Sequence, residues 1–164
     1  MINDNFIQSF QLENSPVRGR IVRLGAVLDE ILDAHDYPEP VAHLTAESIT
    51  LCALLSAMLK YEGIFTLQAQ GDGPVKMVVS DVTSQGIIRG CASYKEDLNV
   101  SKGAFPIGYL GKGHLAFTVD QGKYADRYQG IVELKGKTLT KCVQHYFVQS
   151  EQIGTAIKMY IGQV

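Results

Sequence analysis

The chain has 164 residues, 46% hydrophobic and 20% charged, and its 15 basic and 17 acidic side chains leave a net charge of −2. That is the make-up of one ordinary globular domain, and the charge balance argues against a nucleic-acid partner, because phosphate binding draws on a surplus of Lys and Arg. No run approaches the roughly 18 apolar residues of a membrane helix, and MINDNFIQSF at the start lacks the basic and apolar regions of a secretory signal, so the expected setting is the cytoplasm, with no membrane partner.

Residues 1–16 read as a polar lead-in with two aromatic anchors, Phe6 and Phe10. Val17–Arg23 alternates as a strand does, with Arg18 and Arg20 outward. Leu24, Val27, Leu28, Ile31 and Leu32 fall at helical spacing opposite Asp29, Glu30 and Asp33, so a helix is expected over 24–34. Asp36-Tyr37-Pro38-Glu39-Pro40 stops it, since each proline disfavours helical geometry in the residue before. Thr45 then suits the N-cap of a second helix, with Glu47 in its first turn. Ile49, Leu51, Cys52, Leu54, Leu55, Met58 and Leu59 cover nearly every direction around that axis, which predicts a helix buried on all sides with Gly63 at its C-terminal cap.

From Ile64 the period changes to two. Ile64–Gln70 and Val75–Ser80 predict a hairpin around Gly71-Asp72-Gly73-Pro74, and Gly86–Ala92 a third strand. Ser93–Gly113 is polar and glycine-rich and reads mainly as a long loop. His114–Val119 and Gln129–Leu134 are further strands, Thr138–Ser150 a helix, and Ala156–Ile161 a last strand. Strands cluster instead of alternating with helices, so the expected class is α+β, with packed, largely antiparallel sheets, one buried apolar helix and flanking amphipathic helices.

Little in this pattern asks for a reaction centre. Gly71-Asp72-Gly73 leads into a proline and a strand, unlike a phosphate-cradling loop, which needs GxxxxGK[ST] or GxGxxG before a helix. Cys142 and His145 lie three apart on the last helix and are the minimal thiol–imidazole pair of a small cysteine-dependent enzyme, the alternative function. Core packing of Cys142 beside a surface histidine is the competing reading. Cys52, Cys91 and Cys142 are scattered, fitting reduced thiols, and His35, His43 and His114 form no metal-ligand motif. No catalytic, cofactor-binding or metal-binding residue is therefore assigned. Glu96-Asp97 suits a solvated loop. Arg18, Arg20, Arg23, Arg89 and Arg127 form a basic patch only if the fold gathers them. Tyr61, Tyr94, Tyr109, Tyr124, Tyr128, Tyr146 and Tyr160 sit at element ends or in loops, where amphipathic rings suit protein contacts or half-buried core edges.

Seven phrases in order, VRG at 17–19, HDYPEPV at 35–41, LLSAMLKYEG at 54–63, LQAQGDGPV at 67–75, IRGCA at 88–92, RYQGIVEL at 127–134 and YFVQSEQ at 146–152, run through almost the whole chain. Together they resemble the redox-regulated, thirty-three-kilodalton heat-shock chaperone family of the bacterial cytosol. Gly154 departs from a proline usual there. The resemblance implies that 1–164 is the N-terminal core, which binds unfolded or oxidatively damaged client proteins without ATP. It places a linker and a zinc domain with a CxC…CxxC switch outside this chain, so no cofactor is expected within it. An apolar face left by that linker would meet solvent, a client or a second copy, so self-association as a homodimer or client binding without an oxidant is expected. A purely structural or regulatory fragment is the remaining alternative.

Overall fold

A computed structural model describes residues 4–123 and 125–162. Strands β1 (Phe6–Gln11) and β2 (Arg18–Arg23) form an antiparallel two-stranded ribbon. The lead-in is thus a strand, and its Phe10 ring lies over Gly19 opposite, where a Cβ would collide with it. Helix α1 (Ala26–Asp33) follows with its apolar stripe half-buried and Asp29, Glu30 and Asp33 exposed. Its first amides are satisfied from β1's approach, because Asn5 Oδ1 accepts from the Gly25 and Val27 amides (2.9 and 3.3 Å).

Helix α2 (Glu39–Ser56) begins six residues before the expected cap. Pro40 lies in its first turn, where the missing amide hydrogen costs nothing, and Thr45 is an interior residue whose hydroxyl donates to the Val41 carbonyl (2.8 Å). Thirteen of its eighteen residues are buried, as expected of a helix without a polar stripe. Its C-terminus is closed by Ala57, not Gly63. Arg20 does not point outward: its Nε donates to the Ala57 carbonyl (3.2 Å), placing a cation at the negative end of the helix. Gly63 serves the next strand instead, with φ 139° and its Cα against the Asp120 carbonyl.

The main sheet is antiparallel throughout, in the order β5-β4-β3-β6-β7: β3 (Ile64–Gly71), β4 (Val75–Thr83), β5 (Ile88–Tyr94), β6 (Gly113–Asp120) and β7 (Tyr128–Glu133). Alternation sends Phe65, Leu67, Val78, Leu115, Phe117 and Val119 into the core against α2 and leaves Gln68, Val79, Ala116 and Ile131 on the other face, half-buried or exposed. The β3–β4 turn is pinned by its own chain. Asp72 Oδ1 accepts from the Lys112 amide (2.7 Å), while the Asp72 and Gly73 amides donate to the Lys112 and Leu110 carbonyls (3.0 and 2.8 Å). The presumed loop after β5 holds a short 3-10 turn, Pro106–Leu110, that buries Ile107, Tyr109 and Leu110 under this hairpin.

Helix α3 (Leu139–Tyr146) starts at Thr138, whose hydroxyl accepts from the Lys141 amide (3.1 Å). It ends earlier than expected, passing into a π-helical turn, Phe147–Glu151, closed by Gln152 at φ 54°. The last expected strand keeps its alternation without a ladder. Thr155, Ile157, Met159 and Ile161 are half-buried and Ala156, Lys158 and Tyr160 exposed, yet 155–161 pairs with no strand among the described residues.

One buried carboxylate joins the two long-range halves. Glu47 Oε1 accepts from the amide and the hydroxyl of Thr140 (both 3.1 Å), tying α2 to the start of α3. Burial pushes its pKa up, and the Thr140 hydrogen bonds offset that only in part. A carboxyl with a folded pKa above its unfolded value, near 4.3, stabilises fully below that unfolded value and loses the contribution as pH rises through the folded one. Glu47→Gln keeps an oxygen for Thr140. Its stability relative to the parent is therefore expected to improve as pH rises from about 4 through the elevated pKa. Parallel melting profiles of the two proteins over that window would contradict this.

Candidate functional site

The sequence pattern assigns Met58 and Leu59 to the buried helix, but α2 ends before them. They stand on the surface, 48% and 44% exposed. The chain turns there, through Met58 N to Leu55 O and Leu59 N to Ser56 O (3.0 and 3.2 Å), to reach β3. Two clefts open on either side. One, about 280 Å3, is lined by Leu55, Met58, Leu59, Phe65, Phe117, Tyr128, Val143, Tyr146, Phe147, Glu151 and Ile153. The other, wider and about 630 Å3, includes Ile7 of the ribbon, Leu59, Tyr61 and Val82. Leu59 borders both; the wider cleft reaches Ile7 of the ribbon but is also lined by Lys60, Glu62 and Gln121, whereas the smaller one is apolar apart from Tyr128, Tyr146 and Glu151.

An aromatic stack floors the smaller cleft. The Phe117 ring stacks on Phe65 (6.2 Å between centroids) and takes the edge of Tyr146 at 4.7 Å. Phe117 also lies over Gly130 of β7, where a Cβ would collide with the ring. At the mouth, Tyr128 and Tyr146 donate to the same oxygen, Glu151 Oε1 (2.6 and 2.8 Å). Each hydroxyl has a single proton, so the shared carboxylate sets the 3.0 Å contact between the two phenol oxygens. The Tyr128 and Tyr146 hydrogen bonds hold Glu151 below the usual carboxylate range. In return the bond to Glu151 raises Tyr128, while burial is the larger cause of the rise at Tyr146. The π-helical turn makes this clasp: Tyr146 and Glu151 are five residues apart, one more than a regular helix brings together.

The structure does not assemble the thiol–imidazole pair. Cys142 is buried, its thiol pushed up by burial, and it donates to the Lys135 and Thr138 carbonyls (3.2 and 3.5 Å), whereas His145 is exposed. Cys52 is buried and raised by the same cause, and Cys91 is exposed. Among the described residues no three His, Cys, Asp or Glu side chains lie close enough together to hold a metal. No helix among them is long and apolar enough to cross a membrane. The arginines are dispersed: Arg23, Arg89 and Arg127 pair with Asp4, Asp81 and Asp120. Among the tyrosines, the hydroxyls of Tyr61 and Tyr94 donate to the Val82 and Asp36 carbonyls, and those of Tyr37 and Tyr109 accept from the Ala92 and Ser101 amides. Tyr160 is 89% exposed, and Tyr124 lies outside the described residues.

The described residues thus form an enclosed helix under an antiparallel sheet, with an apolar cleft clasped by Tyr128, Tyr146 and Glu151 beside the end of α2. The family model for the Hsp33 protein matches residues 5–163. The 33 kDa chaperonin of Caulobacter vibrioides is 48% identical over 98% of this chain and 55% of its own length, and that of Proteus mirabilis is 38% identical over 99% and 54%. The crystal structure of the Thermotoga maritima 33 kDa chaperonin superposes with a TM-score of 0.77 at 25% identity, covering 91% of this chain and 52% of that one. The chain belongs to the Hsp33 family. It spans about half the length of the curated relatives it matches.

Proposed function

We propose that residues 1–164 are the client-binding core of an ATP-independent cytoplasmic holdase, which slows aggregation by covering apolar segments of unfolded or oxidatively damaged proteins. The observation that carries this is the group of exposed apolar side chains at the end of α2, Met58 and Leu59, beside the largely apolar smaller cleft. Such surface is rare on monomers without a binding role, and the relatives' name, chaperonin, agrees with it. The glycine turn is no phosphate cradle, because its Asp72 and Gly73 amides donate to the Lys112 and Leu110 carbonyls. Any redox control is assigned outside Cys52 and Cys142, which are buried, because a protonated thiol reacts poorly with oxidants. In a heat-aggregation assay with a labile client, the reduced chain is expected to suppress light scattering at near-stoichiometric amounts without nucleotide. No suppression would sink the reading.

A homodimer is supported by the extended segment at 155–161, whose backbone has no ladder partner among the described residues and is open to a second strand. Light scattering is expected to give twice the 18.0 kDa chain mass, returning to one chain in Lys158→Pro. A monomeric parent contradicts it.

A further inference from the structure

The smaller cleft carries a charge at its mouth that a purely apolar contact does not use. Glu151 is the one charged residue among those lining it. Both tyrosine hydroxyls converge on Oε1, and Oε2 has no protein partner among the described residues. The Tyr128 and Tyr146 hydrogen bonds hold the group below the usual carboxylate range, so the mouth is negative at neutral pH. Beside it the Tyr128 ring is half exposed and the Phe147 ring half-buried, and aromatic faces attract cations. The floor is apolar, formed by Phe65, Phe117 and Val143. At about 280 Å3 the cleft falls below the roughly 300–1,000 Å3 of sites that enclose a drug-sized molecule. It has the dimensions for one or two side chains.

We propose that this cleft seats an apolar side chain of a client segment while Glu151 and the flanking rings pair with a Lys or Arg next to it, so that the domain prefers basic–apolar segments over acidic–apolar ones. The proposal rests on the client-binding reading above and adds the class of segment. Charge complementarity decides the occupant. A guanidinium or ammonium meets an open carboxylate oxygen and an aromatic face, whereas an acidic neighbour meets the like charge of an exposed carboxylate. The neighbouring apolar residue supplies affinity, and the cation supplies the choice.

The probes are three short fluorescent peptides sharing one Leu-Phe-Leu core, flanked by Arg, by Gln or by Glu. They are titrated by anisotropy into the parent and into Glu151→Gln, at low and high salt. The Arg peptide is expected to bind the parent about tenfold more tightly than the Glu peptide, the size of one charge-assisted contact. In Glu151→Gln that ratio is expected to fall below about twofold. High salt should narrow the ratio in the parent. Equal binding of all three peptides by the parent, or an unchanged preference in Glu151→Gln, overturns the proposal. So does a loss of mass in Glu151→Gln by light scattering, which would assign the cleft to a second copy. If the parent suppresses aggregation yet shows no preference, this inference alone falls; if it neither suppresses aggregation nor binds any peptide, the client-binding reading falls with it.

Discussion

Replacing Met58 and Leu59 together with glutamate is expected to weaken client binding about thirtyfold while leaving the fold intact. Fully burying a side chain of this size is worth roughly 1.5–3 kcal/mol. Each of the two already has about half of its surface covered, so closing the rest against a client contributes about 1 kcal/mol per residue, or about 2 kcal/mol for the pair. Glutamate removes that gain and adds a charge that must be desolvated. The fold is spared because both residues follow the last helical turn and lie outside the buried set of α2. The check is a dose curve for aggregation suppression beside a thermal melt. A shifted dose curve with an unchanged melt is expected. An unchanged dose curve would move the client site elsewhere, and a collapsed melt would show that these side chains are structural.

Phe117→Ala is expected to have the largest effect on stability, about 3–5 kcal/mol. The ring is 8% exposed and joins β6 to three other elements: it stacks on Phe65 of β3, takes the edge of Tyr146 from α3, and lies near Tyr128 and over Gly130 of β7. Truncation opens a cavity that stiff neighbours cannot fill. Gly130 offers no side chain, and Tyr146 is held by Glu151. That loss is a large part of the margin of a domain of this size. Chemical denaturation should show a lower midpoint with an unchanged slope. A shift below about 1 kcal/mol would mean that the aromatic floor is looser than its contacts imply.

The sheet was legible because β3 and β6 alternate strictly and face one buried layer, so period and burial agree at every residue from Ile64 to Gln70. The ends of α2 were not. Pro38 and Pro40 look like breakers, yet a proline in the first turn of a helix lacks only an amide that has no partner there. At the other end the apolar run continues through Leu59, while the helix stops at Ser56 because the chain must turn to enter β3. An apolar residue past a helix end reads as core in one dimension and becomes surface in three. The 3-10 turn was hidden for a related reason, since Ile107, Tyr109 and Leu110 are embedded among glycines and polar residues and are buried only by distant chain, α2 and the β3–β4 hairpin. The clasp was half visible. Tyr128 and Tyr146 stood out with the other tyrosines, but nothing local announces a π-helical turn, so the five-residue reach from Tyr146 to Glu151 had no signal. The unpaired segment at 155–161 shows the opposite limit: alternation records which side of a strand is buried and does not record whether a neighbour strand is present.

The most direct test places a photo-reactive amino acid at Leu59 in one variant and at Ile131, on the far face of the sheet, in another, and irradiates each with a client held part-way through unfolding. The account predicts client adducts from position 59 and few from position 131. Adducts from 131 with none from 59 would contradict it.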